Sequence, residues 1–169
     1  MTLKPIKNMF KVSFKDDCMK VQTFNDRATI VTMVGQMSFP TELWSVFPNK
    51  ITNWMWHHPS VDASWGTCTK ENEVIRLEFS GKSVCSNDDI FSAETGRRIA
   101  ESRAKIRLYR FMFNLCGQLA THYTALLYGH CVTKAGADVI NDGIIKDLKK
   151  YQELCIKESH HLGKLLEEA

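Results

Sequence analysis

The sequence predicts an α+β fold in which a small antiparallel β-sheet packs against a long antiparallel helical hairpin. Three observations carry this. Residues 1–91 contain short runs that alternate apolar and polar between polar turns, from Ser92 the apolar residues recur with a helical period, and a short connector splits that helical part in two. The chain has 169 residues, 44% of them hydrophobic and 24% charged, and shows no repeat or linker, so residues 1–169 read as a single domain. A domain of this size buries roughly 70% of the surface its unfolded chain exposes.

The elements follow in order. "MFKVSF" (9–14), "KVQTF" (20–24) and "ATIVTMVGQMSF" (28–39) are strand candidates joined by "KDDC" and "NDR", together a small meander. Residues 40–66 hold Pro40, Pro48 and Pro59 and all four tryptophans (Trp44, Trp54, Trp56, Trp65), a pattern of short helical turns and loops. "GTCTK" and "EVIRLEF" read as a hairpin across "ENE", with "GKSVCS" extending its second strand beyond a turn or bulge at Gly81. Ser92 is suited to cap the first long helix and Glu94 to meet the positive end of its dipole. The pattern runs to about Tyr128 and stops at Gly129. The connector "HCVTKAGA" leads to a second helix, on which Ile140, Ile144, Leu148, Tyr151 and Cys155 share a face. Asp138 and Asp142 read as capping and dipole partners at its start, and Gly96 as a close approach of the first helix to the strand at 74–85.

The net charge of +3 places any electrostatic function in local clusters. Six cysteines (18, 68, 85, 116, 131, 155) form no C-x-x-C pair and read as reduced, mostly buried thiols of a cytoplasmic protein. No apolar run approaches the ~20 residues of a membrane span, and "MTLKPIKNMFKVSFKDD" lacks the apolar core of an export signal. The expectation is a protein without membrane contact.

The first long helix is apolar over more than half its circumference. What remains is a line of six residues, Arg103, Arg107, Arg110, Asn114, Gln118 and Thr121, stepping by four and three along one side. The line holds no carboxylate, although like charges at this spacing repel by roughly 0.2–0.5 kcal/mol per pair. Either Glu153, Glu158, Glu167 or Glu168 folds across it, or water suffices, or it recognises phosphate or an acidic protein surface. Lys105, Arg97 and Arg98 lie off the line. "NWMWHHPS" (53–60) is the second cluster. Its Trp54, Trp56, His57 and His58 read as core anchors, as an interface, or as a place to stack a nucleobase.

No G-x-S-x-G, Walker loop or G-x-G-x-x-G occurs, and His122, His130, Cys131 and Cys116 lack zinc-ligand spacing. The reading assigns no catalytic residue, metal or cofactor. Asp88, Asp89 and Glu94 are the single conceivable acidic set for a metal-dependent nuclease, and read first as hydrogen-bond partners of turn and helix N–H groups.

The run Gly81-Lys82-x-Val84-Cys85-x-x-Asp88-Asp89-x-Phe91-x-x-Glu94-x-Gly96-x-x-Ile99-Ala100-x-x-Arg103-Ala104 resembles a strand–turn–helix module of small phage and prophage proteins. Asn87 stands where that module commonly has proline, and the likeness covers residues 74–110. It implies a phage or mobile-element origin and brings no activity with it. Together these features lead to the expectation of a non-enzymatic accessory protein in a bacterial host cell. It would bind and block a host protein or protein–nucleic-acid complex, most concretely as an anti-CRISPR-type inhibitor of host defence. Its contacts would be Arg103, Arg107, Arg110, Asn114 and Gln118, with Trp54, Trp56 and His57 as aromatic contacts. The alternatives are a nucleic-acid- or nucleotide-binding protein using the same strip, and a small metal-dependent hydrolase or nuclease. The sequence sets no oligomeric state.

Overall fold

The computed structural model describes residues 9–14, 19–41, 47–68, 72–128 and 134–169, with the side chains of 63–68, 126–128 and 134–141 outside that description. In chain order the elements are β1 (Lys11–Phe14), β2 (Lys20–Phe24), β3 (Ala28–Pro40), α1 (Asn49–Trp56), β4 (Val61–Cys68), β5 (Asn72–Val84), α2 (Ala93–Tyr128) and α3 (Lys134–Glu168). The fold is α+β, as the sequence predicts: a five-stranded antiparallel sheet with α2 packed on it and α3 packed against α2.

The sheet is built on β3 and β5, which pair along their whole length, from Ala28 opposite Val84 to Pro40 opposite Asn72. β1 and β2 share the far edge of β3, one beside residues 35–38 and the other beside residues 28–32, while β4 takes the far edge of β5. The β2–β3 turn is reversed by Asn25 and Asp26 at φ 50° and 49°, left-handed conformations that these two residue types tolerate. Alternation then puts one set of side chains inward. Val31, Met33, Met37 and Phe39 of β3 and Ile75, Leu77 and Phe79 of β5 are buried on the face that α2 covers. Each such side chain contributes about 1.5–3 kcal/mol on full burial.

Gly81 is not at a turn. It sits opposite Val31 within an unbroken register, and a Cβ there would collide with the Ala100 carbonyl oxygen and lie 2.6 Å from the Ala104 nitrogen. α2 therefore rests its own backbone on β5 at this point. Gly96 serves a similar approach, though to β3 and not to the strand at 74–85, since its Cβ would lie 2.9 Å from Thr29 Oγ1. The sheet's irregularity falls in β4, where the register slips between Val61, opposite Leu77, and Gly66, opposite Ile75. Trp65 thus belongs to a strand and not to a loop, and residues 49–56 form a full helix, α1; Trp44 lies outside the described residues.

Ser92 caps α2 as its sequence suggests, its Oγ accepting the Thr95 N–H at 3.3 Å. α3 begins at Lys134, earlier than Gly136 would suggest, so Asp142 lies within the helix and is exposed rather than capping it. Ile144 and Tyr151 bury against α2, and between them on the same face lies Asp147, 1% exposed. Its Oδ2 accepts the N–H groups of Met9 at 2.9 Å and Phe10 at 3.0 Å, which ties the segment before β1 to the last helix. Among the described residues no helix is long and apolar enough to cross a membrane.

Candidate functional site: an arginine-lined strand edge and the adjoining cleft

α2 has its sheet-facing side at Ala100, Ala104 and Leu108, and the arginine line runs beside it along the edge of the sheet. Arg103 Nη1 donates to the Lys82 carbonyl at 2.6 Å and Arg107 Nη1 to the Ser80 carbonyl at 2.7 Å. Both carbonyls are available because β4 ends too early to cover them. The Glu78 N–H donates to the Ser60 carbonyl at 2.8 Å, so even-numbered residues of β5 point their backbone groups toward β4. The β4 register reaches only Leu77, opposite Val61, and beyond Glu78 that edge of β5 is open among the described residues. The two arginines cap its carbonyls. The Ser80 and Lys82 N–H groups, which share this edge, keep no partner among the described residues. Arg110, one turn further along, is exposed and forms no ion pair or hydrogen bond among them.

The acids expected to cover the strip do not. Glu158 accepts from the Ser102 hydroxyl at 2.7 Å, and Glu153 and Glu167 are exposed. Glu168 shares a pocket of about 330 Å³ with Arg103 without forming an ion pair. Of the three cations off the line, Arg98 is exposed without an ion pair among the described residues, and the other two are paired. Arg97 pairs with Glu94 at 2.9 Å and Lys105 with Glu101 at 2.8 Å. The pairing lowers the Glu94 carboxyl and raises the Arg97 guanidinium from their ordinary values, chiefly through their shared hydrogen bond.

The polar half of the line opens into a cleft of about 620 Å³ between α1 and α2. Asn114, Gln118 and Thr121 form one wall, and Lys50, Ile51 and Trp54 of α1 the other. Trp54 is held by a stacked contact with Phe111, ring centroids 5.4 Å apart and planes 14° from parallel. His58 meets the same Phe111 ring edge-on at 4.7 Å, and burial holds its imidazole below the ordinary value, so it is neutral near pH 7. The structure thus unites Trp54 with Asn114 and Gln118 and separates them from the other two aromatic candidates. Trp56 packs against the core, and His57 turns back to the Asn53 carbonyl, its Nδ1 2.8 Å away. Lys50 is the residue that sequence reasoning missed. As one lysine among many it carried no signal until α1 was placed beside α2.

The acidic turn is internally bonded. Asp89 accepts from the Ser86 hydroxyl rather than from a helix N–H, and Asn87 accepts from Arg27. Among the described residues no three His, Cys, Asp or Glu side chains converge as metal ligands. Cys85, Cys116 and Cys155 are free thiols, and burial raises the Cys116 thiol well above its ordinary value. Among the described residues Asp147 is the buried carboxyl, with Tyr151 one turn away. No protein-family model, curated protein or solved structure matches this chain.

Proposed function

We propose that this is a non-enzymatic binding protein that docks an anionic host macromolecule along Arg103, Arg107 and Arg110 and blocks it, in the manner of a phage-encoded inhibitor of bacterial defence. One observation carries the binding reading. Arg97 and Lys105 on the first turns of α2 are matched by Glu94 and Glu101, whereas the three arginines in line, like the exposed Arg98, have no carboxylate within ion-pair distance among the described residues. Arg103 and Arg107 are already oriented by carbonyl bonds. Their remaining N–H groups can therefore meet a ligand with little further loss of side-chain freedom. The bacterial cytoplasm and the anti-defence role belong to the proposal through the cysteine usage and the phage-like module at 74–110.

Arg110→Glu is the cleanest test, because Arg110 supports no internal bond while alanine at Arg103 or Arg107 would also uncap the strand edge. The variant is expected to keep its stability within about 0.5 kcal/mol, as surface changes do. Capture of the target from a bacterial lysate should fall by about tenfold or more, which corresponds to roughly 1.4 kcal/mol. Undiminished capture by a folded Arg110→Glu protein would remove the strip from the function.

A further inference from the structure

We infer that the component contacting the strip is a phosphodiester backbone: a single nucleic-acid strand lies along the open edge of β5 and inserts a base into the cleft between α1 and α2. This rests on the binding reading above and narrows its ligand to one chemistry.

The edge itself selects for acceptors. A peptide strand adding to β5 would direct its own N–H groups at the Ser80 and Lys82 carbonyls, where the Arg107 and Arg103 guanidinium groups already stand, each making one bond. What the edge presents without any partner is donors, the Ser80 and Lys82 N–H groups and the unused guanidinium N–H groups, beside positive charge. A phosphodiester backbone is negative and offers only acceptors, so it complements this edge where a polypeptide does not.

The continuation of the line supports the same ligand. From Arg103 to Thr121 it spans about 27 Å at 1.5 Å per residue, passing from three cations to three neutral polar side chains at the cleft. The cleft volume of about 620 Å³ suits a small planar group. Trp54, backed by Phe111, supplies a fixed aromatic ring in the wall. The Asn114 and Gln118 amides each donate and accept, as the edge of a base requires. Lys50 adds a cation at the cleft for a flanking phosphate. A base can enter only when unstacked, which favours a single strand over a duplex.

The test titrates the full chain with a fluorescein-labelled single strand of about twelve thymidines, read by fluorescence anisotropy at several salt concentrations. Four phosphate contacts, by Arg103, Arg107, Arg110 and Lys50, predict a log–log salt slope of about −3 for a single strand, and Arg110→Glu should reduce it by about 0.7. Trp54→Leu should weaken binding by about 5- to 150-fold with the slope unchanged. An abasic strand of equal length should bind the parent about as weakly. Gln118→Leu, which leaves the Trp54–Phe111 stack intact, should also weaken the thymidine strand and not the abasic one, so the base site stays testable if Trp54→Leu fails to fold. Equal affinity for duplex and single strand, or indifference to Trp54 and Gln118, overturns base insertion. A parent that binds no strand, yet captures a nuclease-resistant protein through Arg110, overturns this inference and leaves the binding reading standing. Loss of both together overturns both.

Discussion

Gly81→Val is expected to destabilise the protein by about 3 kcal/mol or more, beyond the 1–3 kcal/mol usual for overpacking, because the obstruction is backbone and cannot change rotamer. The Cβ of any residue at 81 would collide with the Ala100 carbonyl oxygen and crowd the Ala104 nitrogen. α2 would have to lift from β5, which would open the contact that buries Val31, Met33, Ala100 and Ala104. Against a typical total of 5–15 kcal/mol, the loss should be plain as a fall in the urea midpoint. Alanine should cost nearly as much as valine, since the clash begins at Cβ. Gly163 provides the opposite case. An added Cβ there meets nothing within 4 Å, so Gly163→Ala should stabilise α3 by about 0.5–1 kcal/mol. Equal tolerance of alanine at both positions would show that α2 does not press on β5 as described.

Asp147→Ala is expected to cost about 2–4 kcal/mol. It orphans the Met9 and Phe10 N–H groups in a buried setting, at about 1–3 kcal/mol each, offset in part by removing a desolvated carboxyl. Asp147→Asn keeps an oxygen acceptor and should cost less. The two also differ in pH dependence. Burial raises the Asp147 carboxyl above its ordinary value despite the N–H groups of Phe10 and Met9 and the nearby Lys150, which pull it down. The folded state therefore holds this proton to higher pH than the unfolded chain. The associated stability is fully present below the ordinary carboxylate value and is lost as pH rises through the raised one. Urea midpoints measured from pH 3 to pH 8 should show this falling component in the parent and not in Asp147→Asn. A parent-minus-variant difference that is flat with pH, or rises, contradicts it.

The strands β2, β3 and β5 and the helix α2 were legible because their patterns are local: strict alternation in one case, a helical period in the other. β4 was legible only in its second half: the predicted hairpin of "GTCTK" with "EVIRLEF" is present from Gly66 to Cys68, whereas the strand's start at Val61 lies across a register slip and follows from pairing with β5. Gly81 was misread for a related reason, since a glycine inside a strand signals either a bulge or a close approach, and only the crossing of α2 decides between them. The arginine line could be read from its spacing of four and three. Its partners could not, because the freedom of the Ser80 and Lys82 carbonyls depends on where β4 stops. With α1 recognised as a helix, Trp54 and Trp56 could have been separated, for residues two apart on a helix lie about 200° apart and face different ways. Asp147 left a trace of its own, a carboxylate standing on the apolar stripe between Ile144 and Tyr151.

The bonds from Met9 and Phe10 to Asp147 also order events in time. They join residues 138 and 137 positions apart, so the segment that enters the core first in the chain receives its last partner late in synthesis. At about 5–20 residues per second the interval is about 7–28 s. During it the hairpin of β3 and β5 can form and α2 can settle on Gly81, while Phe10, fully buried in the finished fold, stays without its closing helix. A nascent chain of this protein thus presents a greasy leading segment to chaperones or to its neighbours on the same message, until α3 arrives and shuts the core.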